Sequence, residues 1–237
     1  MYKIALDAGH GLYTSGKQTP DGIKEWTLND KVRDKVVAFL SEYDVEIIHT
    51  DNDEGLTDEK LAARLSAYKK AGVDAFVSLH HNALTGNWNG ATGVEVFTDK
   101  NPTERDIELA QAIYKRLVNY TGLAPRGIKR ANFAVINQNA IPAVLIEGGF
   151  MDGTNDYKYI ASDKGQTAYA RAVAEGLIEF LGLQKKKGLN LIDIKGHYAE
   201  RHINKLIGFG IISGYEDCTF KPNNDITRAE FSTMIVK

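Results

Sequence analysis

The sequence is poor in the residues and patterns that mark several kinds of protein. It has a single cysteine, Cys218, so it forms no internal disulfide and offers no Cys-x-x-Cys pair for a zinc ribbon or redox site. Any metal must therefore be held by histidines and carboxylates. Charge is nearly balanced, with 29 Lys+Arg against 31 Asp+Glu in 237 residues. That leaves no electrostatic footprint for nucleic acid, and DNA and RNA are set aside as partners. No apolar run approaches the ~20 residues of a membrane helix, so membrane insertion is not expected. The amino terminus enters an apolar run at once, without a basic region ahead of a long apolar stretch, so no secretory signal is expected. What remains is a hydrophobic fraction of 43%, ordinary for a globular protein with a sizeable core.

Three apolar runs share one design. Ile4-Ala5-Leu6-Asp7-Ala8 ends in Gly9-His10-Gly11, Ala75-Phe76-Val77-Ser78-Leu79 in His80-His81-Asn82, and Ile141-Pro142-Ala143-Val144-Leu145-Ile146 in Glu147-Gly148-Gly149-Phe150. A buried strand closing on a polar residue delivers it to the carboxyl edge of a sheet, where open α/β folds place ligands. Three such runs point to one shared site.

Between them the periodicity predicts a helix over Lys24–Tyr43, a strand over Val45–His49, and a second helix over Asp58–Ala71 capped by Thr57 and stopped by Gly72. A strand over Thr92–Thr98 and a helix from Pro102 or Thr103 to Thr121, stopped by Gly122, follow. Leu123–Asn139 reads as a basic loop, Arg126–Arg130, before a short strand at Phe133–Ile136. A long helix covers Lys164–Leu183. This alternation predicts an α/β fold: a mainly parallel sheet of about six strands with helices on both faces. Residues 184–190 read as a polar linker between a first domain, 1–183, and a small helical segment, 191–237. There Thr227 and Glu230 form a capping box, and so short a unit rarely stands alone.

Catalytic zinc takes three protein ligands, two histidines and a glutamate among the known sets, and leaves a position for water. His10 and His80 end two strands, and the loop Leu12–Lys24 is long enough to return Glu25, at the start of the first helix, to the first histidine. Glu147 ends an apolar strand, where desolvation raises a carboxyl toward the working range of an acid/base. Each residue also has a plainer role: a strand-end histidine bonds a loop, a glutamate at a helix start compensates the dipole, and a glutamate before Gly-Gly accepts in a turn. It is their joint arrangement that favours a site. Spacing does not choose between His80 and His81, because a strand buried on both faces shows no polar alternation.

These motifs carry a resemblance. Leu6-Asp7-Ala8-Gly9-His10-Gly11, Glu25, Ser78-Leu79-His80-His81-Asn82 and Pro142 to Phe150, in that order, resemble the zinc-dependent N-acetylmuramoyl-L-alanine amidases, the family of many autolysins and phage endolysins, over about Tyr2–Leu183. The resemblance implies that His10, Glu25 and His80 hold Zn²⁺ and that Glu147 is the catalytic carboxylate. It implies a peptidoglycan hydrolase, cutting the amide between N-acetylmuramic acid and the first L-alanine of the stem peptide. The family usually has proline at Ala8, a change expected to alter loop rigidity and not ligation. Asn82 and Arg130 are candidates for substrate contact.

Residues 191–237 resemble one S-layer homology repeat, through Asp193–Ala199, Gly210–Tyr215, Thr219–Pro222 and Ile226–Phe231, with Cys218 at a usual glycine. Such repeats normally occur in threes and bind secondary polymers of the cell wall. The expectation is that further repeats have been lost; packing on the first domain and association of several chains are the alternatives. The expected place of action is the bacterial cell wall. Without a leader, that means a phage lysin held in the cytoplasm until release, and a leader missing from the sequence would look the same. Two other functions compete: a zinc peptidase cutting within the stem peptide, and a non-catalytic wall-binding protein with structural zinc.

Overall fold

The run at the amino terminus becomes β1 (Tyr2–Ala8), and its place explains its composition. In a computed structural model, describing all residues except 52–54, 57–65, 67–68, 138–139, 187–190, 210, 216 and 237, β1 lies between β2 (Val45–His49) and β3 (Ala75–Asn82). Beyond β3 come β6 (Ala143–Phe150), β4 (Val94–Thr98) and the edge strand β5 (Pro125–Arg130). All neighbours are parallel except β4 against β6. An inner parallel strand is covered on both faces and has little place for polar side chains along its middle, so Ile4, Ala5 and Leu6 are fully buried.

Helix α1 (Glu25–Leu40) and α2 (Glu104–Thr121) flank α4 (Asp163–Leu181) in one layer. Helix α2 starts after Thr103 and ends at Gly122 (φ 65°), as expected, and Thr103 makes a reciprocal capping box with Asp106. A short helix, α3 (Thr154–Ile160), precedes α4 and was not expected. The opposite face of the sheet carries Ala5, Phe76, Ala143 and Leu145, packed with Ala71, Val73, Val135 and Ile136. The helix expected over Asp58–Ala71, with its cap at Thr57, lies largely outside the described residues, although residues 69–71 are helical.

One expected strand is corrected. The strand after α2 is Pro125–Arg130, read from the sequence as a basic loop, whereas residues 133–136 form a turn. Phe133–Ile136 is apolar because Val135 and Ile136 cap the core. Pro125–Arg130 is polar because an edge strand is covered on one side only.

Strand direction then decides what reaches the site. β1, β3 and β6 run together and end at one edge, with Asp7 beside Ser78 and His80 beside Glu147 in register. β4 runs against β6, so its beginning lies at that edge and Glu95 pairs with Glu147. β5 follows β4, so Arg126 also starts at the edge, while Arg130, paired with Thr98, ends away from it.

A second compact unit comprises Ser41–Asp44 and Gln184–Lys237. Its core is Leu191, Ile194 and Ile203, with Ile207, Ile212 and Phe220 packed against them. Helices α5 (Glu200–Gly208) and α6 (Arg228–Val236) belong to it, and Thr227 and Glu230 make the expected capping bonds. Cys218 has φ 61°, a left-handed conformation that suits glycine, which accounts for the residue usual at that position. Residues 187–190 of the expected linker lie outside the described residues.

Gly176 of α4 crosses α2 so closely that a Cβ there would lie 2.5 Å from Ile113 Cγ1 and 2.9 Å from its Cα. Gly176→Ala is expected to lower stability by ~1–3 kcal/mol through overpacking, despite alanine's better helix propensity; the urea midpoint measures it.

Candidate metal centre

Glu25 opens α1 and is buried, its carboxylate spanning two imidazoles. Oε2 is 3.3 Å from His10 Nε2 and Oε1 is 3.1 Å from His80 Nδ1. One ligand atom from each of the three residues lies within 4.8 Å of the other two. Donors bound tetrahedrally at ~2.1 Å from one ion stand about 3.4 Å apart, so the two contacts are close to that geometry and the three residues fit a divalent cation. Burial pushes the Glu25 carboxyl up, but the hydrogen bond and charge of His80, with His10 and Lys17, outweigh it and hold it at about 2.

Both histidines are held by their own supports. His10 has φ 70°, a left-handed conformation uncommon outside glycine. It is held from both sides: Gly9 N–H donates to the Leu79 carbonyl at 3.0 Å, the Asn29 amide donates to the Gly9 carbonyl at 3.1 Å, and Gly11 N–H donates to Thr14 Oγ1 at 2.9 Å. Gly9 also clears room for the second histidine, since a Cβ there would lie 2.1 Å from His80 Cε1. His80 Nε2 faces Ser78 Oγ at 3.1 Å, and that hydroxyl donates its own proton to Asp7 at 2.6 Å. Ser78 Oγ therefore acts as an acceptor toward the ring, which places a proton on Nε2 and leaves Nδ1, facing Glu25, as the nitrogen on which a cation would replace a proton.

His81 lies on the other face of β3. Its Nδ1 donates to Asn29 Oδ1 at 2.8 Å, and its ring meets Tyr169 edge-on at 5.6 Å. Burial drops its imidazole to about 4, so it stays neutral and serves packing.

Glu147 stands beside His80 on the neighbouring strand. Its Oε2 is buried and has no hydrogen-bond partner among the described residues. Burial raises its carboxyl to about 8, helped by the charges of Glu25 and Glu95 and opposed by His80 and Lys17. Glu25, in contact with the His80 ring, and Glu147, beside His80 in register, are thus pushed in opposite directions.

Comparison with known proteins identifies the family. The model of the N-acetylmuramoyl-L-alanine amidase family matches residues 4–179. The chain belongs to that family. The amidase region is 35% identical over 188 residues to the endolysin of Bacillus phage SPP1, spanning 78% of this chain and 68% of that protein. It is 28% identical over 197 residues to the sporulation-specific N-acetylmuramoyl-L-alanine amidase of Bacillus subtilis strain 168, spanning 82% and 74%. The structure of the N-acetylmuramoyl-L-alanine amidase from Clostridium difficile 630 superposes with a TM-score of 0.71 at 30% identity, covering 76% of this chain and 97% of that one. A second family model, the S-layer homology domain, matches residues 193–232.

The amidase sheet edge also holds Asn82, a candidate for substrate contact, together with Glu95 and Arg126, which the motifs did not point to. Asn82 donates its amide to Glu95 Oε1 at 2.6 Å, so it reaches the neighbour of Glu147 and not the cation cluster. Glu95 is buried and pairs with Arg126 and Lys129. Its alternation with the apolar Val94 and Val96 in a predicted strand was the available signal. Arg130 is exposed at the far end of β5, because that strand runs away from the site. Beside this edge, Asp152 Oδ2 accepts the backbone N–H groups of Leu84, Thr85 and Gly86 at 2.8–2.9 Å, pinning the following loop.

The opposed carboxyl shifts set a pH test on metal-free protein. Between 4.5 and about 8 the folded chain keeps a proton on Glu147 that the unfolded chain has released, so this group's contribution to stability falls as pH rises through that window. Glu25 acts in the other sense, adding stability above 4.5 that is lost as pH falls toward about 2. In chelator-treated samples the melting temperature of Glu147→Gln is expected to rise relative to the parent from about pH 5 to about pH 8. A constant difference across that range would contradict the buried proton.

Proposed function

We propose that this chain hydrolyses the amide between N-acetylmuramic acid and the L-alanine of the peptidoglycan stem, with His10, Glu25 and His80 holding zinc and Glu147 carrying the proton. Amidase activity on peptidoglycan follows from the family; the residue roles are the inference. The observation that carries them is the buried Oε2 of Glu147, without a hydrogen-bond partner among the described residues, beside His80 in register. A purely structural ion site has no use for an unligated carboxylate with a raised proton affinity.

When bound, zinc supplies a Lewis acid for the carbonyl oxygen and lowers the pKa of water to about 7. Glu147 takes a proton from the attacking water on its free oxygen and delivers it to the alanine nitrogen as the carbon–nitrogen bond breaks. The products are the lactyl carboxylate and the free amine. Positive charge at the three-residue site favours the carboxylate form of Glu147, offsetting the burial that raises it. The backbone of Gly148 keeps this carboxylate in place: a Cβ there would lie 2.1 Å from the Tyr169 ring, whose hydroxyl donates to the Ile146 carbonyl at 3.1 Å.

The division at about residue 183 separates this catalytic part from the S-layer homology region, to which we assign retention at the wall through a secondary polymer. Such a module raises the local concentration of enzyme at its insoluble substrate.

Glu147→Ala is expected to retain zinc and fold while losing ~10²–10⁴ in turnover, whereas His10→Ala loses the metal. Metal analysis and mass spectrometry of muropeptides digested with and without chelator measure both. New amino groups at L-alanine alone fit the amidase, and new ones inside the stem fit a peptidase. Near-normal turnover in Glu147→Ala would sink the assignment.

A further inference from the structure

Arg126 and Lys129 are three residues apart, and in a regular strand they would point to opposite faces. They do not, because β5 carries one extra residue against β4: Val94 pairs with Pro125, but Val96 pairs with Ile128. Gly127, with φ 94°, takes up the extra residue in the manner of a β-bulge, a feature that re-aims side chains. Both cations then converge on a single oxygen, Oε2 of Glu95, with Arg126 Nε at 2.9 Å and Lys129 Nζ in direct contact. The other oxygen accepts from Asn82.

The balance of donors and acceptors in this group is uneven. The carboxylate of Glu95 is occupied on both oxygens, while two positive charges face its one negative charge. Arg126 Nη1 reaches only the Thr92 carbonyl, at 3.5 Å, and its Nη2 makes no hydrogen bond among the described residues. The Lys129 ammonium has one acceptor for three hydrogens. Both side chains are 39% exposed, against 4% for Glu95. They are held in position without being saturated: Arg126 lies over the Phe150 ring at 4.8 Å, and Gly93 makes room for its stem, since a Cβ there would lie 2.8 Å from Arg126 Cγ. Glu95 pairs with Glu147 in register, so the two cations, on the next strand, are drawn to the neighbour of the proposed proton carrier.

We infer that Arg126 and Lys129 form a carboxylate-binding subsite for the stem peptide. The inference rests on the proposed amidase reading and deepens it. The lactyl carboxyl of the sugar is consumed in the scissile amide, so the free carboxylates of the substrate lie on the peptide. A planar guanidinium with its outer edge unpaired and an adjacent ammonium match such a group. Glu95 is the positioning residue, holding both cations at the correct edge and reducing their repulsion.

The test uses the zinc-loaded full chain and two muropeptides that differ only in whether the residue after L-alanine bears a free α-carboxylate or the corresponding carboxamide. The parent is expected to prefer the carboxylate by about tenfold in kcat/KM, chiefly through KM, the size of one charge-assisted hydrogen bond. Lys129→Gln is expected to bring the ratio toward one, and Lys129→Arg to restore most of it. Circular dichroism and zinc content of each variant separate loss of the subsite from loss of fold. Cleavage of both peptides by the parent at equal efficiency overturns the subsite alone, as does a Lys129→Gln ratio equal to the parent's. Cleavage of neither overturns the amidase reading together with the subsite built on it.

Discussion

The carboxylate of Glu25, shared between His10 and His80, is the interaction on which the rest of the site depends. It ties the first turn of α1 to the ends of two strands, and it is buried where an unpaired charge would cost several kcal/mol. The backbone N–H of His81 and the amide of Asn29 add hydrogen bonds to Oε1, at 3.2 and 3.5 Å. The helix layer and the sheet edge are joined at this point by charge, while further down they are joined by apolar packing.

Around that pair the electrostatics form a gradient across the sheet. Asp7 accepts from Thr50 and Ser78 beneath the histidine; Glu147 stands one strand over with an oxygen unpaired; Glu95 follows, neutralised by two cations. Of the three, Glu147 has a buried oxygen without a hydrogen-bond partner among the described residues. Burial raises its proton affinity and the charges of His80, Glu25 and Glu95 adjust it, so a change at Glu95 or Glu25 is felt at Glu147 without any movement of the backbone.

Much of this was legible in the residues. Strands that are covered on both faces must be apolar, so β1, β3 and β6 announced themselves, and Thr103, Gly122 and Thr227 marked helix ends where capping chemistry requires them. The choice between His80 and His81 did not follow from periodicity. It depends on which face of β3 meets Asp7 and which meets Asn29, a matter of packing between distant segments. β5 was missed because an edge strand can be polar throughout, and with it the convergence of Arg126 and Lys129, which depends on an extra residue that no alternation pattern reveals. Arg130, chosen for its charge and its place in a presumed loop, is carried away from the edge by the direction of that strand.

Asp152 has a further implication. It holds residues 84–86 through three backbone N–H groups and reads none of their side chains. Leu84 and Trp88 nevertheless stand exposed on the loop that follows. Anchorage and surface chemistry are thereby separated at Leu84: the polypeptide can exchange that exposed side chain and keep its shape. A hydrolase built this way can diversify toward walls of different composition while its reacting groups stay unchanged.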